Sequence, residues 1–169
     1  MESTTASFAI RQLGRADATL YRDIRLEGLR LYPDSFSADF DAEAAEPLAW
    51  FADRLANSVV LGAFAGTTLV GVAGFFRRPG AKRAHKAVVG GVYVRSASRR
   101  KGIARALMER VIDEARSCVE TLLLSVEKDN APARQLYQSL GFVEYGTEKS
   151  AVKIDGRYYD EVLTAKPLR

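Results

Sequence analysis

The chain has 169 residues and a formal net charge of +4. Hydrophobic residues make up 47% of it and charged residues 27%, ordinary values that exclude a chiefly disordered, collagen-like or coiled-coil chain. One Cys and one His exclude an intrachain disulfide framework and a cysteine-rich zinc site. Because no apolar run reaches the ~18 residues of a membrane helix and the first eight residues lack a secretory signal, we expect one cytoplasmic domain over residues 1–169, with no metal.

The first half of the chain predicts two helices and four strands. Asp17 is a suitable N-cap for a helix that ends before Pro33, and Pro47 predicts the start of a second helix. A Gly66-Thr67 turn indicates a hairpin between two of the strands. The predicted strands are residues 8–13, 59–65, 68–76 and 86–94. The residues expected on or near the buried side of the first helix are Leu20, Ile24, Leu26, Leu29 and Leu31.

The second half alternates helices and strands. Residues 100–116 have apolar side chains at a 3.6-residue period, which predicts an amphipathic helix. Residues 121–126 are nearly all apolar, as in a strand covered on both faces. Residues 130–140 predict a helix that Gly141 ends. The last strands are predicted over 142–145, 151–154 and 158–163, with Asp155-Gly156 as a hairpin turn. The fold class is therefore α/β in the α+β sense, with helices packed on a mixed, largely antiparallel sheet.

A basic segment lies where a strand passes through a short loop into a helix. Residues 95–105 contain five Lys or Arg and no acid. A helix start leaves backbone N–H groups unpaired and carries partial positive charge, so it suits an anion. Gly102 has no Cβ to keep a phosphate from the main chain. The segment is neither a Walker A loop nor a dinucleotide fingerprint, and a solvated basic loop is the other interpretation.

Two motifs resemble the GCN5-related N-acetyltransferases, the GNAT family. Residues 99–104, Arg-Arg-Lys-Gly-Ile-Ala, fit that family's Arg/Gln-x-x-Gly-x-Gly/Ala signature between a Val-x-Val strand and an amphipathic helix. The second motif follows in the expected order, with Asn130 after a strand and Tyr137 on the next helix. The resemblance covers nearly the whole chain and implies a GNAT-like acyl-CoA N-acyltransferase fold, one N-acetyltransferase domain and acetyl-CoA as the cofactor.

The resemblance also implies a role for individual residues. Tyr137 is the expected catalytic residue, near the thioester sulfur, to which its phenol would donate a proton; a core aromatic is the other interpretation. The positions expected to contact the pantetheine arm or the acetyl carbonyl are Val92, Tyr93, Val94, Asn130 and Ala133. The positions expected to hold the phosphates are Arg99, Arg100, Lys101, Gly102, Ile103, Ala104 and Arg105, with Arg134 as a further candidate.

The implied reaction is direct transfer of the acetyl group to a primary amine of a small molecule, peptide or protein in a ternary complex. A backbone N–H of the 92–94 strand would stabilise the oxyanion. The strand before Gly90-Gly91 carries no carboxylate, so the base is open between Glu127, His85, an acid of the last hairpin and a water relay. The same gap supports an alternative, a catalytically silent CoA-binding sensor or interaction module.

The expected partner is thus an amine acceptor. Nucleic acid is not expected, because no aromatic residues interleave with the basic segment; a membrane is not expected either, and a homodimer follows from the resemblance alone. The resemblance places Tyr32, Phe36 and the acidic stretch 39–46 in a wall of the acceptor pocket. Solvated surface charge is the other interpretation of that stretch.

Overall fold

The computed structural model describes residues 7–169. The expectation of no secretory signal rests mainly on residues 1–6, outside the described residues. The strands are β1 (Ala9–Gln12), β2 (Val59–Ala65), β3 (Thr68–Arg77), β4 (Lys86–Val94), β5 (Thr121–Glu127), β6 (Val143–Ile154) and β7 (Arg157–Pro167). The helices are α1 (Ala18–Leu31), α2 (Phe40–Ala44), α3 (Leu48–Asn57), α4 (Ile103–Arg116) and α5 (Ala131–Ser139). Over residues 7–169, no helix has the length and apolar character needed to span a bilayer.

The strands form one sheet in the order β1-β2-β3-β4-β5-β7-β6. All neighbouring strands are antiparallel except β4 and β5, so the predicted mixed, largely antiparallel sheet is confirmed. The parallel pairing of β4 with β5 runs only from Lys86–Thr121 to Val88–Leu123. Since β4 continues to Val94, the two strands separate beyond Val88 and leave a gap in the sheet.

The helices cover both faces of the sheet. The amphipathic α4 lies on one face, where Leu107, Met108 and Val111 are fully buried. On the other face, α1 and α3 bury Ile24 and Phe51. Burial of one such side chain contributes about 1.5–3 kcal/mol. The two apolar clusters therefore hold the sheet from both sides.

The buried face of α1 differs from the prediction. Ile24 and Leu29 are buried, but Leu20 is 40% and Leu31 54% exposed. The buried stripe instead includes Tyr21, Arg25 and Gly28, which are spaced by three and four residues, as one helix face requires. The sequence prediction was wrong for the two leucines because it weighted apolar residues and passed over a buried arginine.

Two element boundaries also differ. Helix α4 begins at Ile103 rather than at residue 100, because its N-cap Gly102 has φ 78°. Residues 142–145 and 151–154, predicted as separate strands, belong to the single strand β6 (Phe142 precedes it). A bulge makes this continuity possible: Ser150 has φ 51°, and its N–H donates to the Asp160 carboxylate at 2.9 Å. The predicted Asp155-Gly156 turn is confirmed, since both residues have positive φ, as a type I′ turn requires.

The acidic stretch between α1 and α3 contains a buried ion pair. Arg25 donates from Nε and Nη2 to the two carboxylate oxygens of Glu43, each at 2.9 Å, and Arg54 Nη1 donates to Glu43 Oε1 at 3.1 Å. Arg25 and Glu43 are each 7% exposed. The solvated interpretation of this stretch is therefore wrong for Glu43, which anchors the short helix α2 to α1 and α3.

Replacing this carboxylate should destabilise the fold strongly. We expect Glu43→Gln to lower the free energy of unfolding at pH 7 by about 3–5 kcal/mol, because Arg25 would stay buried without a counterion. Urea unfolding measures the change. Asp41→Asn, an exposed change on the same helix, is the control and should have little effect.

The effect of Glu43→Gln should also depend on pH. Burial raises the pKa of Glu43, but the hydrogen bonds and charges of Arg25 and Arg54 outweigh it and hold that pKa below its ordinary value of 4.5. The stability that this carboxylate contributes is present above the unfolded pKa and is lost as pH falls through the folded pKa. The difference between the wild type and Glu43→Gln should therefore shrink at pH 3; an unchanged difference would contradict a pKa lowered by the ion pair.

Candidate functional site

A cavity of about 760 Å³ opens at the gap between β4 and β5, within the size range of small-molecule sites. Its walls come from the ends of β4 and β5, the start of α4, one face of α5 and residues 32–36. The predicted site residues that line it are Val92, Tyr93, Val94, Arg99, Arg100, Gly102, Ile103, Ala104, Arg105, Asn130, Ala133 and Tyr137. Lys101 and Arg134 are not among the lining residues. Two motifs that are distant in sequence thus meet at one cavity.

A β-bulge shapes the wall that β4 contributes. Strand β3 pairs Val72 with Tyr93 and Gly74 with Gly90, so β4 has one more residue than β3 between these pairs. Gly91, inside this bulge, has φ 64°, a conformation that glycine adopts without strain. Because β4 has left its pairing with β5 at this level, its backbone faces the cavity with polar groups that a ligand can use.

The start of α4 forms an electropositive corner of the cavity. The first helical hydrogen bond runs from Ala106 N–H to the Gly102 carbonyl at 3.0 Å, so the preceding N–H groups have no acceptor within the helix. A Cβ at Gly102 would meet no heavy atom within 4 Å, so the main chain is open to an approaching group there. Arg100 also has a positive φ, 61°. Unpaired N–H groups and the helix dipole together favour an anion.

The basic side chains around this corner differ in their freedom. Arg99 donates from Nε to the Val94 carbonyl at 3.0 Å and lies over the Tyr32 ring, 4.6 Å from its centroid. Arg105 donates to Ser139 Oγ at 2.6 Å. Arg134 forms a two-point ion pair with Glu144 at 2.9 and 3.0 Å. Arg100, by contrast, is exposed and lines the cavity, which makes it the arginine best placed to turn towards a phosphate.

Helix α5 brings Tyr137 into the opposite wall. Asn130 caps this helix by accepting a hydrogen bond from Ala133 N–H at 3.3 Å, and the Phe142 ring packs against Tyr137 edge-on at 6.1 Å. Tyr137 is 8% exposed, and its hydroxyl has no hydrogen-bond partner among residues 7–169. Burial raises the pKa of Tyr137 to about 12. The phenol therefore keeps its proton at neutral pH and is available as a donor to a ligand.

The three candidate bases lie in different places. Glu127, at the end of β5, lines the cavity, and its Oε2 accepts a hydrogen bond from Asp129 N–H at 3.0 Å. His85 is exposed and precedes β4, at the end of that strand where the gap is closed. Asp160 of the last hairpin is engaged by Ser150 N–H and Lys149 Nζ. Of these three candidates, Glu127 is therefore the one that a group in the cavity can reach.

An aromatic wall closes the side of the cavity facing α1. The resemblance predicted Tyr32 and Phe36 in such a wall, but not their packing against Tyr93 or its link to Glu27. The Tyr93 hydroxyl donates to Glu27 Oε2 at 2.8 Å, and its ring packs against Tyr32 and Phe36 at centroid distances of 5.9 and 6.5 Å. Burial and the hydrogen bond to Glu27 raise the pKa of Tyr93 to about 12, so the Tyr93 hydroxyl keeps its proton at neutral pH. Gly28 permits this packing, since a Cβ there would lie 3.2 Å from the Tyr93 ring. A glycine inside a helix costs about 1 kcal/mol relative to alanine. Gly28 in the sequence of α1 was therefore the one sign that another group packs closely against this helix.

Comparison with known proteins gives a consistent result. The family described as "Acetyltransferase (GNAT) family" matches residues 25–142. An L-amino acid N-acyltransferase of Escherichia coli, MnaT, is 32% identical over 137 residues, which are 80% of this chain and 79% of that protein. The N-alpha-acetyltransferase RimI of Mycobacterium tuberculosis is 31% identical over 157 residues, 92% of this chain and 91% of that protein.

Solved structures show the same architecture. A GNAT acetyltransferase from Streptococcus pneumoniae superimposes with a TM-score of 0.86 at 23% identity, over 95% of this chain and 99% of the other. The structure of yncA from Salmonella typhimurium, determined with its cofactor acetyl-CoA, gives a TM-score of 0.81 at 27% identity, over 96% of this chain and 95% of the other. The expected fold is confirmed.

Filling the space at Gly28 should disturb the aromatic wall. We expect Gly28→Ala to lower the melting temperature, because the added methyl group would also lie 3.3 Å from the Phe36 ring and overpacking outweighs the gain in helix propensity. A thermal melt followed by circular dichroism measures the effect. Gly14→Ala, where no heavy atom lies within 4 Å of the added Cβ, is the control; a Gly28→Ala protein as stable as the wild type would show that the rings move freely.

Proposed function

The chain belongs to the GNAT family of acetyltransferases, whose cofactor is acetyl-CoA, and on that premise we propose that it transfers an acetyl group to a primary amine of a small molecule or peptide by direct attack in a ternary complex. One observation carries this proposal. The unpaired start of α4, the open backbone of β4 and the free hydroxyl of Tyr137 all face one cavity. The three groups that such a transfer would use, for the phosphates, the oxyanion and the leaving sulfur, therefore lie in one cavity.

The residues of this cavity fit acetyl-CoA. The start of α4, with Arg99, Arg100 and Arg105, would hold the phosphates through N–H groups and charge. The backbone of residues 92–94, with Asn130 and Ala133, would hold the pantetheine arm. When bound, the cofactor supplies an acyl carbonyl activated as a thioester. Lys101 and Arg134, outside the lining, stay predicted contacts to the phosphate end, and Arg134 would have to give up its pair with Glu144.

Three groups of this chain would act on the reacting atoms. An N–H of the 92–94 backbone would donate a hydrogen bond to the developing oxyanion. The Tyr137 hydroxyl, which holds its proton at neutral pH, would donate it to the departing sulfur. Glu127 would take a proton from the acceptor amine, directly or through a water, which supplies the carboxylate that the strand before Gly90 lacks. A direct transfer needs no nucleophile from the protein.

The proposed acceptor carries an α-amine. One relative is named an L-amino acid N-acyltransferase and another an N-alpha-acetyltransferase, and an α-amine is the acceptor that free amino acids and peptide N-termini have in common. Incubating the protein with acetyl-CoA and a panel of amino acids, peptides and simple amines, and measuring release of free thiol, tests the proposal. Turnover with at least one amine is expected; binding of CoA without turnover on any amine class would instead favour a silent sensor.

Three expectations from the sequence stay predictions: the single N-acetyltransferase domain over residues 1–169, the cytoplasmic location and the homodimer. Sedimentation of the full chain at several concentrations would measure its oligomeric state. A sedimentation coefficient that does not change with concentration and corresponds to 18.6 kDa would contradict the homodimer.

A side chain at Gly102 should block the anion corner. We expect Gly102→Val to raise the dissociation constant of acetyl-CoA by about tenfold or more, because hydrogen bonds to a charged group would be lost. Isothermal titration measures it. Gly80→Val is the matched control, since Gly80 also has a positive φ and open space around its Cβ position but lies outside the cavity. Both variants should lose similar stability, and only the first should lose affinity; equal affinity in the two would contradict the phosphate site.

Removing the Tyr137 hydroxyl should affect turnover more than binding. We expect Tyr137→Phe to lower kcat about 100-fold with little change in the KM for acetyl-CoA, because the ring still packs against Phe142. Steady-state kinetics at saturating amine measures both values. Tyr145→Phe, an exposed residue (62%), is the control. Unchanged turnover would leave Tyr137 with a packing role only.

A further inference from the structure

A second, smaller hollow of about 40 Å³ lies against the bulge of β4. Its floor is bare sheet, because the register partners Gly74 and Gly90 have no side chains. Its walls come from α1 and from the end of α3. A hollow of this size has room for a group of a few heavy atoms. The residues that line it are Tyr21, Arg25, Arg54, Ser58, Val60, Gly74, Phe75, Phe76, Gly90 and Gly91.

The charge around this hollow is not balanced. Two arginines, Arg25 and Arg54, line it, and no Asp or Glu does. Both arginines share one carboxylate, that of Glu43, so this group of three side chains carries one positive charge in excess. Burial alone would lower the pKa of Arg25, but the interactions with Glu43 and Tyr21 outweigh it, and the net pKa is raised above its ordinary value. Arg25 therefore stays charged. Arg25 is paired with Glu43, and the Arg54 side chain is 34% exposed, so water offsets part of this excess; an anion in the hollow would neutralise the rest.

Two donor groups at the hollow have no partner within the described chain. Arg25 is only 7% exposed. Its Nε and Nη2 donate to Glu43, but its Nη1 donates to no acceptor among residues 7–169. That nitrogen lies 3.2 Å from the position of a Cβ on Gly91, and so it points at the bulge. Tyr21 is 4% exposed, and its hydroxyl likewise makes no hydrogen bond within the described chain. Both donors belong to largely buried residues, but neither atom is itself cut off from solvent, since among the described residues only Arg78 Nε is a fully buried side-chain donor without a partner. The two donors are therefore accessible to a ligand in the hollow.

We propose that this hollow binds the α-carboxylate of a free amino acid, with Arg25 Nη1, the Tyr21 hydroxyl and Arg54 as its donors. The proposal rests on the function proposed above and names its acceptor class. A carboxylate accepts hydrogen bonds from several donors at once, and its charge would neutralise the excess of the arginine pair. A guanidinium is well suited to this role.

The position of the hollow agrees with this assignment. Gly91, in its lining, is followed directly by Val92, in the lining of the large cavity, and consecutive Cα atoms are about 3.8 Å apart. In an α-amino acid the carboxylate carbon lies about 2.5 Å from the amine nitrogen by standard bond lengths. A carboxylate held at the bulge would therefore place its amine beside the backbone that presents the acyl group.

A peptide N-terminus would fit this hollow less well. In a peptide the group next to the α-amine is a neutral amide, which leaves the excess charge of Arg25 and Arg54 without a counterion. A simple alkylamine has nothing to place there. The hollow therefore selects for a free α-carboxylate among acceptors with an α-amine.

The test compares each L-amino acid with its own α-amide, in kinetics and in binding. For the wild type we expect kcat/KM for the acid to exceed that for the amide by about tenfold or more, the effect of hydrogen bonds to a charged group. Isothermal titration of the CoA-loaded protein with the same pairs gives a readout that does not depend on turnover. Equal values for acid and amide, with turnover intact, would overturn the carboxylate site and leave the acetyltransferase proposal standing. Absence of turnover on every amine, with acids and amides binding equally, would overturn both.

Tyr21→Phe and Arg54→Gln assign the preference to this hollow. Tyr21→Phe removes a hydroxyl that has no partner within the described chain, so it should fold normally. Both variants should raise the KM and the dissociation constant for the amino acid several-fold, and those for its amide by clearly less, because the amide has no charge for these donors. Arg30→Gln, an exposed change on α1, is the control. A loss that is equal for acid and amide would indicate a structural role and overturn the assignment. Arg25→Lys keeps the charge but loses the second donor to Glu43; if this variant folds, it should bind the amino acid more weakly and its amide about as well as before. If it does not fold, the Tyr21→Phe result decides the question.

Discussion

The structure depends on the short parallel pairing between β4 and β5. Three residue pairs hold the two strands together, and beyond them each strand keeps its other neighbour, β3 for β4 and β7 for β5. The sheet therefore stays continuous and rigid while one seam in it is open. The backbone at this seam has hydrogen-bonding groups without a strand partner, and such groups need a ligand or water. The cavity, the start of α4 and Tyr137 all adjoin this seam.

The bulge at Gly91 separates two environments along one strand. On one side, the large cavity combines unpaired N–H groups with a buried phenol that holds its proton. On the other side, the Arg25–Glu43–Arg54 group sits over bare sheet at Gly74 and Gly90. A side chain at Gly90 would fill the second space, and none at Gly91 could adopt the backbone without strain. Gly90 and Gly91 thus allow the small hollow to lie directly beside the large cavity.

The parts of the fold and site that the sequence predicted depend on local patterns. The segments 99–104 and 130–137 are each short and continuous, made of a loop and the first turns of a helix. The structure places both at the cavity. Long-range pairs had no such signal: Arg25 and Glu43 are 18 residues apart, and Tyr93 and Glu27 are 66 apart. An arginine or a glutamate is normally expected on the surface, so the periodicity of α1 was assigned to its leucines instead. The helix α2 is only five residues long, too short for a periodic pattern.

The long strand β6 lies at one edge of the sheet. An open edge of twelve residues with exposed Val143 and Tyr145 would normally be a template for association with other chains. The bulge at Ser150 interrupts that template, since the Ser150 N–H points back to Asp160 of the same hairpin and Lys149 places a charge beside it. Because the bulge interrupts the regular strand geometry there, an added strand could not pair regularly along the whole of β6. The irregularity that merges two predicted strands into one therefore also limits pairing at this edge.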